Sequence, residues 1–134
     1  MVALPTLPPE QLPRLARTVE DAGVAELWLW EDCFWAGGIA AAGTVLAGTE
    51  RLRVGIGVLP VPLRAVTLAA MELAALERLA PGRVVAGLGH GVQPWMEQAG
   101  VRVPSPLTLL REHLVALRAA STSWRCAPCS PARR

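Results

Sequence analysis

Runs of residues that are apolar at consecutive positions, each followed by a segment of helical period, fix most of what this chain can fold into. Residues 26–31 (Glu-Leu-Trp-Leu-Trp-Glu), 53–59 (Arg-Val-Gly-Ile-Gly-Val-Leu) and 83–89 (Arg-Val-Val-Ala-Gly-Leu-Gly) are three such runs. A strand with apolar side chains on both sides must be covered on both faces, which marks a parallel sheet with crossover helices. Residues 2–4 read as a clipped first strand.

The segments between them carry the helical spacing. In 9–22, Leu12, Leu15, Ala16, Val19 and Ala22 share one face, and Gly23 offers a left-handed C-terminal cap; Pro13 is tolerated only in the first turn. Residues 36–49 form a shorter helix diluted by Gly37, Gly38 and Gly43. Val66, Ala69, Leu73, Leu76 and Ala80 step by threes and fours across 65–80, and Pro81-Gly82 stops that helix. After a loop over 91–104, Ser105 and Pro106 open a fourth helix with a stripe at Leu107, Leu110, Leu114 and Leu117. The order is βαβαβαβα, an α/β fold. It suits either the amino-terminal half of a TIM (β/α)8 barrel or a small open doubly wound sheet. Residues 1–120 form this domain. Residues 121–134 have no period, and the expectation is a disordered or frameshifted tail, open to proteases.

Charge and composition remove several function classes. Setting aside Arg125, Arg133 and Arg134 leaves ten basic against eleven acidic residues, with no basic cluster for nucleic acid. All the basic residues are arginine while Lys, Asn and Tyr are absent, a bias of GC-rich codons rather than of function. The apolar runs are cut by Glu, Arg, Gly or Pro well short of the ~20 residues a bilayer span needs. No signal peptide is visible at the start. Three cysteines are too few for a disulfide-stapled domain, so the expected compartment is the cytoplasm. Cys126 and Cys129 are spaced C-x-x-C but have no second pair to complete a zinc site, and no metal is expected.

In parallel α/β folds ligands gather at the carboxyl ends of the strands. Three loops lie there. Asp32, a polar residue at the tip of a buried strand, is placed for hydrogen bonding or acid/base work. Glu31 beside it reads as a structural partner for an arginine such as Arg64. Gly87, Gly89 and Gly91 cross the end of the last strand, but Val92 occupies the position where the dinucleotide fingerprint requires glycine. His90, between two of these glycines, is a candidate ligand donor. Trp28 and Trp30 read as core, and Trp35 and Trp95 as lining for a flat pocket.

Several strings resemble the bacterial luciferase-like oxidoreductases: Leu15-Ala-Arg-Thr-Val-Glu-Asp-Ala-Gly23, Glu26-Leu-Trp-Leu-Trp-Glu-Asp32, Thr49-Glu-Arg-Leu-Arg-Val-Gly-Ile-Gly57 and Leu76-Glu-Arg-Leu-Ala-Pro-Gly-Arg-Val-Val-Ala-Gly-Leu-Gly89. The resemblance runs to about residue 119 and implies a TIM barrel using reduced FMN or coenzyme F420. It assigns Asp32 to the family's acidic residue after strand two, with Cys33 where histidine often follows. It aligns Gly57, Val58 and Leu59 with a peptide bulge under the cofactor ring, and Gly89, His90 and Gly91 with the loop lining the cofactor. Asp32 and His90 are thus the expected catalytic pair. The substrate is a small molecule. The family continues through four more βα units, so an amino-terminal fragment is implied, whose open strand edges and a sheet face bearing Val54, Ile56, Val58 and Val85 favour a homo-oligomer. The alternatives are a catalytically silent half-barrel and a flavodoxin-like nucleotide-binding sheet.

Overall fold

The computed structural model describes residues 1–124; Cys126, Cys129 and the remainder of the expected tail lie outside the described residues. Strands β1 (Glu26–Leu29), β2 (Arg53–Pro60) and β3 (Val84–Gly89) form one parallel sheet in the order β1-β2-β3. Helices α1 (Leu12–Asp21), α2 (Gly38–Ala47), α3 (Val66–Leu79), α4 (Gln93–Gln98) and α5 (Pro106–Trp124) connect and follow them. A strand order that follows the sequence without reversal is that of a barrel wall. It is also the order within one half of a doubly wound sheet, whose switch point lies between the halves.

The first expected strand is reduced to a single parallel bridge between Val2 and Trp28. The Ala3 N–H donates to the Trp28 carbonyl at 2.8 Å, and the Trp28 N–H to the Met1 carbonyl at 2.8 Å. Pro5, Pro8 and Pro9 follow at once, and residues without an N–H cannot prolong a ladder. The four-strand order therefore becomes three strands with a bridging segment outside β1.

Helix spacing holds with local adjustments. Pro9–Gln11 form a 3-10 turn, and α1 starts at Leu12 with Pro13 in its first turn. Leu12, Ala16 and Val19 are buried, and Gly23 takes φ +74° just beyond the end. Ala69, Leu76 and Ala80 are buried along α3. On α5 the stripe turns: Leu107 is exposed while His113 is buried. The expected loop 91–104 contains α4, which begins with Pro94 in its first turn.

The faces of the sheet are assigned by alternation. Leu27, Leu29, Val54 and Ile56 are buried in one cluster with Ala16, Val19, Ala42, Val45 and Leu76. Fully burying side chains the size of Leu27 or Ile56 contributes roughly 2–3 kcal/mol each. This corrects the expected exposed face: Val54 and Ile56 point into the core, and Gly55 and Gly57 occupy the opposite side. Trp28 fills the space these glycines leave. A β-carbon on Gly55 would stand 2.4 Å from the indole, so the ring fits only over glycine.

Candidate functional site

The carboxyl rim is built from three connections: residues 30–37 after β1, the 3-10 turn Val61–Leu63 with Arg64 after β2, and residues 90–92 after β3.

In the first connection Asp32 is partly exposed, and its carbonyl accepts the Trp35 N–H at 3.2 Å, making a tight turn. Phe34 at the turn has φ +74°, a conformation side-chain-bearing residues rarely adopt. Phe34 and Trp35 are 73% and 53% exposed. Cys33 points inward and is buried; burial first, and the nearby Asp32 charge second, push its thiol pKa up. It therefore stays protonated at neutral pH and offers no thiolate.

Glu31 is 5% exposed and is the partner of Arg64, as its sequence position suggests. Arg64 Nη1 pairs with Glu31 Oε1, and Arg64 Nη2 donates to Glu31 Oε2 at 3.2 Å. Arg64 Nε lies 3.2 Å from Glu72 Oε2, in ion-pair range without hydrogen-bond geometry. Burial opposes the Arg64 charge, but the hydrogen bond and charge of Glu31, then Glu72, raise its pKa overall. Asp32, Cys33, Phe34, Leu63, Arg64 and Ala99 line a cavity of about 270 Å³. A second cavity of about 310 Å³, lined by apolar side chains and glycine apart from Thr44, lies between the amino-terminal segment and α2, with Trp30 and Trp35 on its wall.

At the second strand end the Gly57–Val58 peptide is cis, and the β2–β3 register shifts between Ile56 and Leu59. Val58 is 41% exposed, while Leu59 is buried as a whole residue, backbone included, so of this pair Val58 alone faces the rim. Pro60 pairs with Gly89 across the ladder. A β-carbon on Gly89 would stand 2.6 Å from Val58 Cγ2, so Val58 lies directly against this glycine. The exposed His90 has its Nδ1 2.7 Å from the Gly91 carbonyl, and Gln93 Nε2 donates to the carbonyls of His90 and Gly91 at 3.2 Å each.

The structure thus gathers Gly57, Val58, Leu59 and Gly89 on adjoining strands, with His90 and Gly91 in the turn beyond. Asp32 belongs to the first loop and lines a cavity whose wall does not include His90. Sequence reasoning missed Glu72, Leu63 and Ala99. Glu72 was legible as a charge on a helix otherwise read for its apolar stripe; Leu63 and Ala99 carried no signal. Among the described residues no group of three or more His, Cys, Asp or Glu could hold a metal ion, and no helix is long and apolar enough to cross a membrane.

A family model described as luciferase-like monooxygenase matches residues 2–127. Three solved structures share the fold. A monooxygenase from Streptomyces bottropensis is 21% identical with a TM-score of 0.75, the match covering 82% of this chain and 36% of that one. The coenzyme F420 dependent tetrahydromethanopterin reductase from Methanopyrus kandleri is 22% identical with a TM-score of 0.68, covering 79% and 30%. The oxygenating constituent of 3,6-diketocamphane monooxygenase from Pseudomonas putida, a type II Baeyer-Villiger monooxygenase in complex with FMN, is 14% identical with a TM-score of 0.79, covering 89% and 38%. The chain therefore spans about a third of the length of these proteins. No curated protein matches it.

Proposed function

This chain belongs to the luciferase-like monooxygenase family, and on that premise we propose that it forms the amino-terminal half-barrel of an oxidoreductase acting on a small molecule with reduced FMN or coenzyme F420. The family match over 2–127 carries this reading. The rim fits a flat ring system: Val58 presents an exposed apolar surface against Gly89, while Asp32 and His90 stand on flanking loops with polar atoms free to orient a ligand. It fits a phosphate less well, because Arg64, the one guanidinium on these three loops, is engaged by two carboxylates.

When bound, such a cofactor supplies the hydride or oxygen chemistry. The chain's own part is orientation and exclusion of water: Asp32 and His90 hold polar edges, and the apolar side chains at the strand ends cover a ring face. Cys33, kept protonated, takes no nucleophilic part. A half-barrel without turnover is the second reading, favoured by the short span of the chain on its structural neighbours.

Fluorescence titration with FMN and F420 tests the proposal on the 134-residue chain and on the chain continued through four further βα units. The continued chain binds one of them and the short chain binds weakly; a continued chain that binds neither refutes the reading. Among the described residues β3 pairs only with β2, and a second copy of the isolated chain is proposed at its free edge. Light scattering that finds only monomer removes that part.

A further inference from the structure

The loop carrying Asp32, Cys33, Phe34 and Trp35 is closed at its base by one side chain. Glu31 opens it, Gly38 ends it, and Glu31 Oε2 accepts the Gly38 N–H at 2.6 Å. Gly37, the residue before α2, makes no side-chain capping bond, so this carboxylate from seven residues upstream satisfies the first turn of the helix. The same carboxylate holds Arg64 of the β2–α3 connection, and Arg64 reaches Glu72 on α3. There is no slack at the junction: a β-carbon on Gly38 would stand 2.8 Å from Ile56 Cγ2 and 3.1 Å from Glu31 Oε2.

A buried ion pair is a poor stabiliser compared with apolar packing of the same volume. This one instead fixes the relative positions of three segments that converge on the cavity lined by Asp32. We propose that Glu31 is a positioning residue: it clamps residues 32–37 into the shape that presents Asp32, with Arg64 linking that shape to the loop after β2. The ligand part of this proposal rests on the function proposed above.

The test uses Glu31→Ala and Glu31→Gln in the 134-residue chain, well below their melting temperatures. Glutamine keeps an oxygen for the Gly38 N–H but removes the charge facing Arg64, and it serves where alanine prevents folding. Amide exchange at Gly38 and residues 33–37 is read beside FMN affinity. Glu31→Ala is expected to speed exchange at these amides at least tenfold while leaving the β1, β2 and β3 amides protected, and to weaken FMN binding by the folded protein about tenfold. Glu31→Gln produces a smaller change in both. A merely stabilising role would speed exchange across the whole sheet and leave the affinity of the folded protein unchanged; that result overturns the proposal. So does unaltered protection of Gly38 in Glu31→Ala. Where FMN binding by the wild-type 134-residue chain is too weak to measure, the function reading stands, since only the continued chain tests it, and the exchange pattern decides alone: a loss confined to 33–38 upholds the clamp, and an unchanged pattern overturns it.

Discussion

The two ends of the sheet are finished in opposite ways. At the amino rim, polar side chains are spent on backbone. Glu20 of α1 accepts the N–H groups of Glu50, Arg51 and Leu52 at 2.6–3.1 Å. Arg83 donates to the Leu52 and Thr49 carbonyls and to Thr49 Oγ1. At the carboxyl rim Glu31 holds Arg64 and the Gly38 N–H, and His90 and Gln93 bond the turn after β3, but the side chains of Asp32, Phe34, Trp35 and Val58 stand at or near the surface without such closure. In barrels of this kind the amino face serves stability and the carboxyl face serves chemistry. The contrast runs the same way here: side chains from two elements close the amino rim on backbone, and the carboxyl rim leaves the Asp32 carboxylate and aromatic surface open.

The contrast can be broken by substitutions that should separate stability from binding. The largest effect is expected from Arg83→Ala, which removes the guanidinium donor from the carbonyls of Leu52 and Thr49 and from the Thr49 hydroxyl, the hydroxyl keeping its own bond to the Val45 carbonyl. Urea denaturation should show a loss of about 2–3 kcal/mol, with FMN or F420 affinity unchanged; a change in affinity would blur the division. Next comes Asp32→Ala at the opposite rim. It should shift stability by less than about 0.5 kcal/mol while weakening cofactor binding by the continued chain about tenfold, or ~1.4 kcal/mol.

Acid titration sharpens the amino rim further. Bonds from Arg51, Glu50 and Leu52 outweigh desolvation and hold the Glu20 pKa below its ordinary 4.5. A carboxylate with a depressed folded pKa stabilises above its unfolded pKa, and that contribution is lost as pH falls through the folded value. Stability should therefore decline from about pH 4.5 downward, and Glu20→Gln should flatten that limb in denaturation measured across pH. The smallest effect belongs to Phe34→Gly. Removing the β-carbon at φ +74° relieves strain that the added freedom of the unfolded chain partly offsets, for a net stabilisation of about 0.5 kcal/mol. Destabilisation by that substitution would mean that the exposed Phe34 ring packs usefully.

The sequence carried the βα alternation, the helix stripes and the Glu31–Arg64 partnership because each rests on local spacing or on charges at neighbouring strand ends. It misled where parity mattered. Val54 and Ile56 looked like an open face, yet a strand apolar on both sides gives no internal sign of which set faces the helices. The glycines at 55 and 57 decided it, by leaving room for Trp28. The loop at His90 was legible as the end of the last strand, but α4 was hidden inside it because six residues with one proline hold too little period to register. Glu20 as a triple acceptor was invisible, since its partners lie some thirty positions downstream and only the fold brings them near.

That separation has a consequence during synthesis. Glu20 is made 30 residues before the first amide it will hold, roughly 1.5 to 6 seconds of elongation at ~5–20 residues per second. Throughout that interval α1 has no sheet to lean on. The arrival of Leu52 lets its carboxylate seize the incoming strand, and Arg83, made 31 residues later still, fastens the next. The amino rim can thus be stitched in the order in which the ribosome delivers it: β2 meets a carboxylate already waiting, and β3 brings its own arginine to carbonyls already made.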